Sequence, residues 1–478
     1  MDKNKFYITT TLAYVNADPH IGFAREIVQA DVLARFHRSI GDEVFFNTGT
    51  DEHGLKIFRK AQELEIDVQK YCDEKAENFK KLKGMLNLTF DSFIRTTDEH
   101  HVKAAQEFWK ICDKKGDIYK KLYKVKYCVG CELEKTESEL VDGKCPLHPN
   151  MEIEIISEEN YFFRFSRYQE KLLKLYEENP NFVLPKKRMN EIRSFVEMGL
   201  EDFSISRLKN KMPWGVPVPG DDEQVMYVWF DALVDYVSTL GWPGDTEKFE
   251  KFWPGYQLCG KDNLRQQAAM WQAMLMSAGL PNSKQVFVNG FITSKGEKMS
   301  KSLGNVINPQ DMVVKFGVDG TRYLLLSSGT FGEDSDLNWE GMVEKYNADL
   351  ANGLGNLLSR VIKLSEKIDA GIAPKARPLE SKGLAFGDFG EFFGKLELSQ
   401  SLEYIWKIIQ DNNKYIEENK PWELTHNHPE KFQKIMEKLL NDLSSISQLL
   451  ESFMPETSEK IKKALETKQA IALFPRIK

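Results

Sequence analysis

The sequence predicts an α/β fold: a parallel sheet with helices on both faces, split by a cysteine-bearing insertion and followed by an all-helical segment. Three observations predict it. Short apolar runs alternate with helical periodicities through residues 1–115, and the rhythm resumes through residues 226–290, as in strands joined by crossover helices. Residues 116–225 lose that rhythm and carry three cysteines and a histidine in paired spacing. From residue 346 to 478 strand patterns vanish and only the 3.6-residue period remains.

Each element follows from its own pattern. Residues 6–11, 43–48 and 90–94 read as buried strands. Residues 25–40 read as a helix with Ile27, Val28, Val32, Leu33 and Phe36 on one face. Residues 55–64 and 68–88 read as two further helices. The run 286–292 is another buried strand, leaving into a polar loop that bends at Gly296. Ligands of such sheets bind beyond the carboxyl ends of the strands.

Composition narrows the class. A chain of 478 residues is too long for one core. No run of 18 apolar residues spans a membrane. The N-terminus lacks the apolar stretch and cleavage site of a signal peptide, so the cytosol is the expected compartment. Six cysteines in this length do not make a disulfide framework. A net charge of −7 argues against non-specific coating of nucleic acid and leaves room for local basic faces.

Cys128-x-x-Cys131 and Cys145-x-x-His148, thirteen residues apart, match tetrahedral zinc. Four protein ligands leave no open position, so a structural site is expected. Lysines and tyrosines interleave just before it, from Lys114 to Tyr127. A solvated strand face and an RNA-tracking surface both fit them.

His20 and Gly22 stand at a predicted helix entry. A helix N-terminus offers unpaired N–H groups to an anion, and His20 adds a donor. Lys298-Met299-Ser300-Lys301-Ser302 puts two lysines three apart on the glycine-hinged loop, suited to charge growing on phosphate oxygens. Gly255 to Lys261 fits the start of a P-loop, but Asp262 stands where that motif needs Ser or Thr.

Taken together, these strings resemble the methionyl-tRNA synthetase family of class I. The resemblance rests on residues 9–16, His20-Ile21-Gly22, residues 49–54, the metal pairs, residues 226–236, Gly260-Lys261-Asp262, Lys298–Ser302 and residues 415–422. It implies a class I Rossmann-type parallel sheet with a zinc-binding insertion, then an all-α anticodon-binding bundle. The corresponding spans are 1–115 and 226–290 for the sheet halves, 116–225 for the insertion, 291–345 for the lysine loop and stem contact, and 346–478 for the bundle.

The family's residues carry over position by position. His20, Lys298 and Lys301 would be catalytic. His20, Gly22, Phe23, Asp262, Asn289, Ile292 and Lys301 would hold ATP, with Mg2+. Leu12, Tyr14, Asp51, Trp229, Ala232, Leu233, Tyr236 and Gln267 would hold methionine. Arg207 would lie near the substrates, and Asn356, Arg360 and Trp422 would read the tRNA anticodon. Cys128, Cys131, Cys145 and His148 would bind one structural Zn2+. A cytoplasmic monomer is expected, because no oligonucleotide-binding segment follows.

The chain departs from the family at Phe23, Gln224, Gln257, Gln267 and Asn289, where histidine is common. Two further readings stay open on those residues: a class I synthetase with altered amino-acid specificity, and a catalytically impaired synthetase-like tRNA-binding protein. A P-loop nucleotidase is disfavoured by Asp262.

Overall fold

The computed structural model of the protein describes residues 3–135, 139–294, 296–298, 306–367 and 388–478. Its organising element is a seven-stranded sheet whose pairings are all parallel. The central strand β1 (Lys5–Thr9) lies between β3 (Glu43–Asp51) and the strand Tyr256–Gly260. Beyond β3 come β2 (Ala13–Tyr14) and β4 (Ser92–Arg95); beyond Tyr256–Gly260 come Gln285–Asn289 and Val183–Leu184. That last strand comes from within the span 116–225, so the expected insertion itself contributes an edge to the sheet.

Both faces of the sheet are buried, which is why its strands read as near-continuous apolar runs. Successive residues enter opposite cores. Phe6, Ile8, Phe46 and Phe287 point to one side, and Tyr7, Phe45, Val286 and Val288 to the other. Helix α1 (Ile21–Ser39) covers the first side, and helix Glu99–Lys114 the second.

Two expectations shift. The helix read over 68–88 divides into α3 (Val68–Lys80) and a short turn of helix, Leu82–Met85. The strand read over 286–292 stops at Asn289. Gly290 passes so close to the next segment that a Cβ would lie 2.2 Å from the carbonyl oxygen of Glu333, and only glycine fits there. The chain resumes as Ile292–Ser294 in a separate small sheet with Ser335–Asp336. Gly296 does form the bend, at φ +78°.

The insertion is an antiparallel ribbon of β5 (Ile118–Cys128) and Glu154–Phe163, paired from Ile118↔Phe163 to Tyr127↔Glu154. The cysteine–histidine group sits at its tip.

Among its described residues the C-terminal segment is helical, as expected, with Leu398–Asn419 and Pro429–Leu450 the longest helices. It shares one continuous core with α1. Phe36 of α1 stacks on Phe393 with centroids 4.1 Å apart. The junction holds a buried ion pair: Arg322 Nη2, on helix Pro309–Leu326, lies 2.8 Å from Asp31 Oδ2 of α1. Arg322 also donates to the carbonyls of Leu86, Ser452 and Phe453 at 2.8–3.0 Å. Asp31 in turn accepts from the amide and hydroxyl of Thr89 and from Arg35. Burial alone would push the Asp31 carboxyl up; Arg322, Arg35 and Thr89 outweigh it and hold the group below its ordinary value.

Removing one partner of a buried, fully bonded pair strands the other. Arg322→Ala is expected to lower stability by about 3–5 kcal/mol in urea unfolding. The double change Arg322→Met with Asp31→Leu is expected to cost less than the single one.

Candidate active site

Four segments leave the carboxyl ends of neighbouring strands: Thr9 to His20 after β1, Asp51 to Gly54 after β3, Gly260 to Asp262, and Asn289 with Gly290. The sheet therefore gathers His20, Asp51, Asp262 and Asn289 on one edge. His20 is the N-cap of α1, and its Nδ1 accepts from the Gly22 amide at 3.0 Å. That bond makes Nδ1 the acceptor, so a neutral ring carries its proton on Nε2. The Phe23 ring packs edge-on against Phe79 with centroids 5.3 Å apart.

Asp51 is buried at the end of β3, paired in register with Tyr14 of β2. Its Oδ1 has no hydrogen-bond partner among the described residues. Burial pushes its carboxyl well above the ordinary range, and the charges of Asp231, Glu132 and Glu52 add to the shift. The backbone N–H of His53 opposes it. A buried acceptor held this way gains most from a cation. Trp229 likewise has a buried indole N–H without a partner. Leu12 and Ala232 are buried.

Farther in, Gln267 Nε2 donates to the Tyr236 hydroxyl at 2.5 Å, and Gln257 Nε2 donates to Gln267 Oε1 at 3.3 Å. Ser283 donates to Gln257 Oε1 and receives from Gln272. Tyr236 thus spends an acceptor on Gln267 and keeps its own proton to give. The chain of amides holds no group that titrates near neutrality. Gln267 lies in a π-helical segment, Gln266–Met270, and Leu233 is buried.

Sequence reasoning missed two buried carboxylates close to these residues, Asp231 near Asp51 and Glu26 near Tyr236. Asp231 is fully buried, with His53 Nδ1 at 2.6 Å and His101 Nε2 at 2.8 Å. Burial pushes its carboxyl up, but the two imidazoles outweigh it and hold it at about 2. Glu26 of α1 accepts from the Thr11 amide at 2.8 Å, and burial raises its carboxyl to about 7. Neither group sits in a string that spacing alone singles out.

Cys128, Cys131, Cys145 and His148 do converge, with all four ligand atoms within 4.8 Å of one another. Three sulfurs and one imidazole are a soft set that suits zinc.

Residues 6–362 match the family described as tRNA synthetases class I (M). The chain belongs to the methionyl-tRNA synthetase family of class I. A methionine–tRNA ligase of Thermotoga maritima is 43% identical over 96% of this chain and 74% of that protein. One from a Synechocystis strain is 42% identical over 95% and 88%. Among solved structures, Mycobacterium tuberculosis methionyl-tRNA synthetase in complex with methionyl-adenylate is 38% identical, with a TM-score of 0.88, over 96% of this chain and 93% of that one. The apo form of the Mycobacterium enzyme gives 32% and 0.82.

Within this synthetase, other expected site residues are placed as follows. Ile292 is buried at the start of the small sheet. Lys298 lies in the strand pair Thr293↔Lys298, while Lys301 falls outside the described residues. Arg207 is buried and lies over the rings of Tyr127 and Tyr227. Gln224 accepts from the Ser206 hydroxyl and donates to the Glu159 carbonyl, both within the insertion. Asn356 and Arg360 line one groove of about 350 Å³ with Asn413 and Glu417. Arg360 Nη1 is 2.7 Å from Glu417, and its guanidinium lies 5.8 Å from the half-exposed Trp422 ring. A π-helical segment, Tyr346–Gly355, leads directly into Asn356.

The raised Asp51 carboxyl has a signed consequence. The folded state binds that proton more tightly than the unfolded chain, so ionised Asp51 lowers stability as pH rises above its unfolded value of about 4. Asp51→Asn is expected to raise the melting temperature at pH 8, with a smaller gain at pH 4. The same variant is expected to weaken methionine binding roughly 100-fold. For the metal group, Cys145→Ala is expected to bring zinc, measured by metal analysis, well below about one per chain and to lower the melting temperature.

Proposed function

We propose that the protein joins methionine to tRNA in two steps at the carboxyl edge of the sheet. The observation that carries this reading is the buried, unpartnered Asp51 Oδ1 beside Tyr14, in a chain of this family. It is a receptor for the ammonium group of an amino acid. Leu12, Tyr14, Trp229, Ala232 and Leu233 supply apolar walls for a polarizable thioether. Tyr236, held by Gln267, offers its hydroxyl proton to the sulfur, a weak acceptor.

In the first step the methionine carboxylate attacks the α-phosphorus of ATP. An acyl–phosphate bond forms, and the bond to the departing pyrophosphate breaks. His20 and the N-terminus of α1 face the phosphates, with Gly22 and Phe23 beside the nucleotide. Lys298 and Lys301 stabilise the charge that grows on the leaving group. Asp262 takes the ribose hydroxyls, and Asn289 and Ile292 border the base. Mg2+ accompanying ATP would neutralise phosphate charge. In the second step the terminal adenosine hydroxyl of the tRNA attacks the acyl carbon, and AMP leaves.

Asn356, Arg360 and Trp422 offer an amide, a guanidinium and a stacking ring to unpaired anticodon bases. Zinc in the Cys128–His148 group would brace the ribbon tip. No helix among the described residues is long and apolar enough to cross a membrane. A monomer working in the cytoplasm is part of the same reading.

Pyrophosphate exchange into ATP, run with each of the twenty amino acids, tests it. Exchange with methionine alone is expected. Lys301→Ala is expected to lower kcat about 10²–10³-fold. Exchange with another amino acid would overturn the substrate. No exchange by folded protein would point to the impaired tRNA-binding reading.

A further inference from the structure

The tip of the insertion touches the methionine pocket through one side chain. Glu132 directly follows Cys131, yet it is turned inward and 4% exposed. Its backbone is left-handed, φ +51°, a conformation a non-glycine residue adopts at a cost. Both carboxylate oxygens are engaged. Oε1 accepts from the Tyr14 hydroxyl at 3.0 Å and from the Lys56 amide at 2.9 Å. Oε2 accepts from the Tyr127 hydroxyl.

Those partners are the parts of the pocket that need holding. Tyr14 is the register partner of Asp51. Lys56 lies in the first turn of α2 (Leu55–Glu63), whose N-cap Gly54 provides no side-chain cap. Glu132 fills that role from 76 residues away, an anion at a helix N-terminus. The loop from Asp51 to Gly54 is therefore pinned at both ends. A Cβ on Gly54 would lie 2.7 Å from the Tyr14 oxygen and 3.2 Å from Glu132 Oε1, so the contact also needs a glycine beneath it. Val129, from the same turn, packs with Tyr227 and Val228, and Tyr14, Leu55 and Trp229 lie against that cluster.

We propose that Glu132 is a positioning residue for methionine: it sets Tyr14 and the Asp51 loop from the metal-binding turn, without touching substrate. Its oxygens are taken up by protein donors, which is why it positions and does not react. The inference rests on the reading that Asp51 and Tyr14 receive methionine.

The test compares Glu132→Ala, Glu132→Gln and Asp51→Asn in pyrophosphate exchange, with KM measured separately for methionine and ATP. Methionine binding without ATP is followed by tryptophan fluorescence, and zinc is measured in every variant. Glu132→Ala is expected to raise KM for methionine roughly tenfold while KM for ATP stays within about twofold and zinc remains bound, as loss of bonds to a charged acceptor predicts. Glu132→Gln keeps an acceptor for the Lys56 amide, so its rise is smaller, about threefold. If Glu132→Ala does not fold, Glu132→Gln decides alone, and an unchanged KM for methionine overturns the proposal. Combining Glu132→Ala with Tyr14→Phe is expected to be no worse than the larger single effect, because the contact that Tyr14→Phe removes is already lost in Glu132→Ala. Equal rises in both KM values with loss of zinc would mean a structural role only and overturn it. If Asp51→Asn raises KM for methionine and the Glu132 variants do not, this proposal alone fails. If none of them does, the pocket reading fails with it.

Discussion

The buried pair of Asp31 and Arg322 is the constraint on which the arrangement depends. Two charges withdrawn from water must satisfy each other and every remaining donor and acceptor, or the cost is several kcal/mol. Here the demand is met only if four elements arrive together: α1, the Leu86 turn, helix Pro309–Leu326 and the Ser452–Phe453 corner. Because α1 also carries His20 at its N-terminus, the helix that the proposed reading turns toward the nucleotide is fixed by the helical half of the molecule.

Around that fixed helix, the site is made of strand ends. A parallel sheet aligns its carboxyl edges, so residues from four distant stretches meet without any of them being strained into place. Electrostatics then separates their tasks. Asp231, between two imidazoles, stays ionised and satisfied. Asp51, with one oxygen unpartnered, is held in a state that a cation relieves. Two carboxylates in one buried region behave oppositely because their neighbours differ.

Much of this was legible in the sequence. The strand–helix alternation gave the sheet, since a strand buried on both faces must be apolar throughout. The paired spacing gave the metal group, since Cys-x-x-Cys places two sulfurs on one turn. Tyr14, Asp51, Tyr236 and Gln267 were reached through resemblance, and their neighbourhoods are now described. What was not legible depended on contacts remote in sequence. Nothing about Glu132 beyond its place next to Cys131 tells that it reaches Tyr14. The end of one strand at Asn289 was hidden because it follows from a backbone that passes Gly290. The edge strand Val183–Leu184 is two residues long, too short to show a period.

The buried pair also has a bearing on how the molecule comes into being. A ribosome delivers the chain from its N-terminus, and domains generally fold as they emerge. Asp31 is exposed to the solvent of the tunnel mouth long before Arg322 exists, and Arg322 must then wait for Ser452 and Phe453, 130 and 131 positions later. Throughout that interval Asp31 has Arg35 and Thr89 but not Arg322, and α1 has the sheet but not the helical segment that completes its core. The pair therefore closes only when almost the whole chain has been made, and until then the sheet half stands without the helices that lock it.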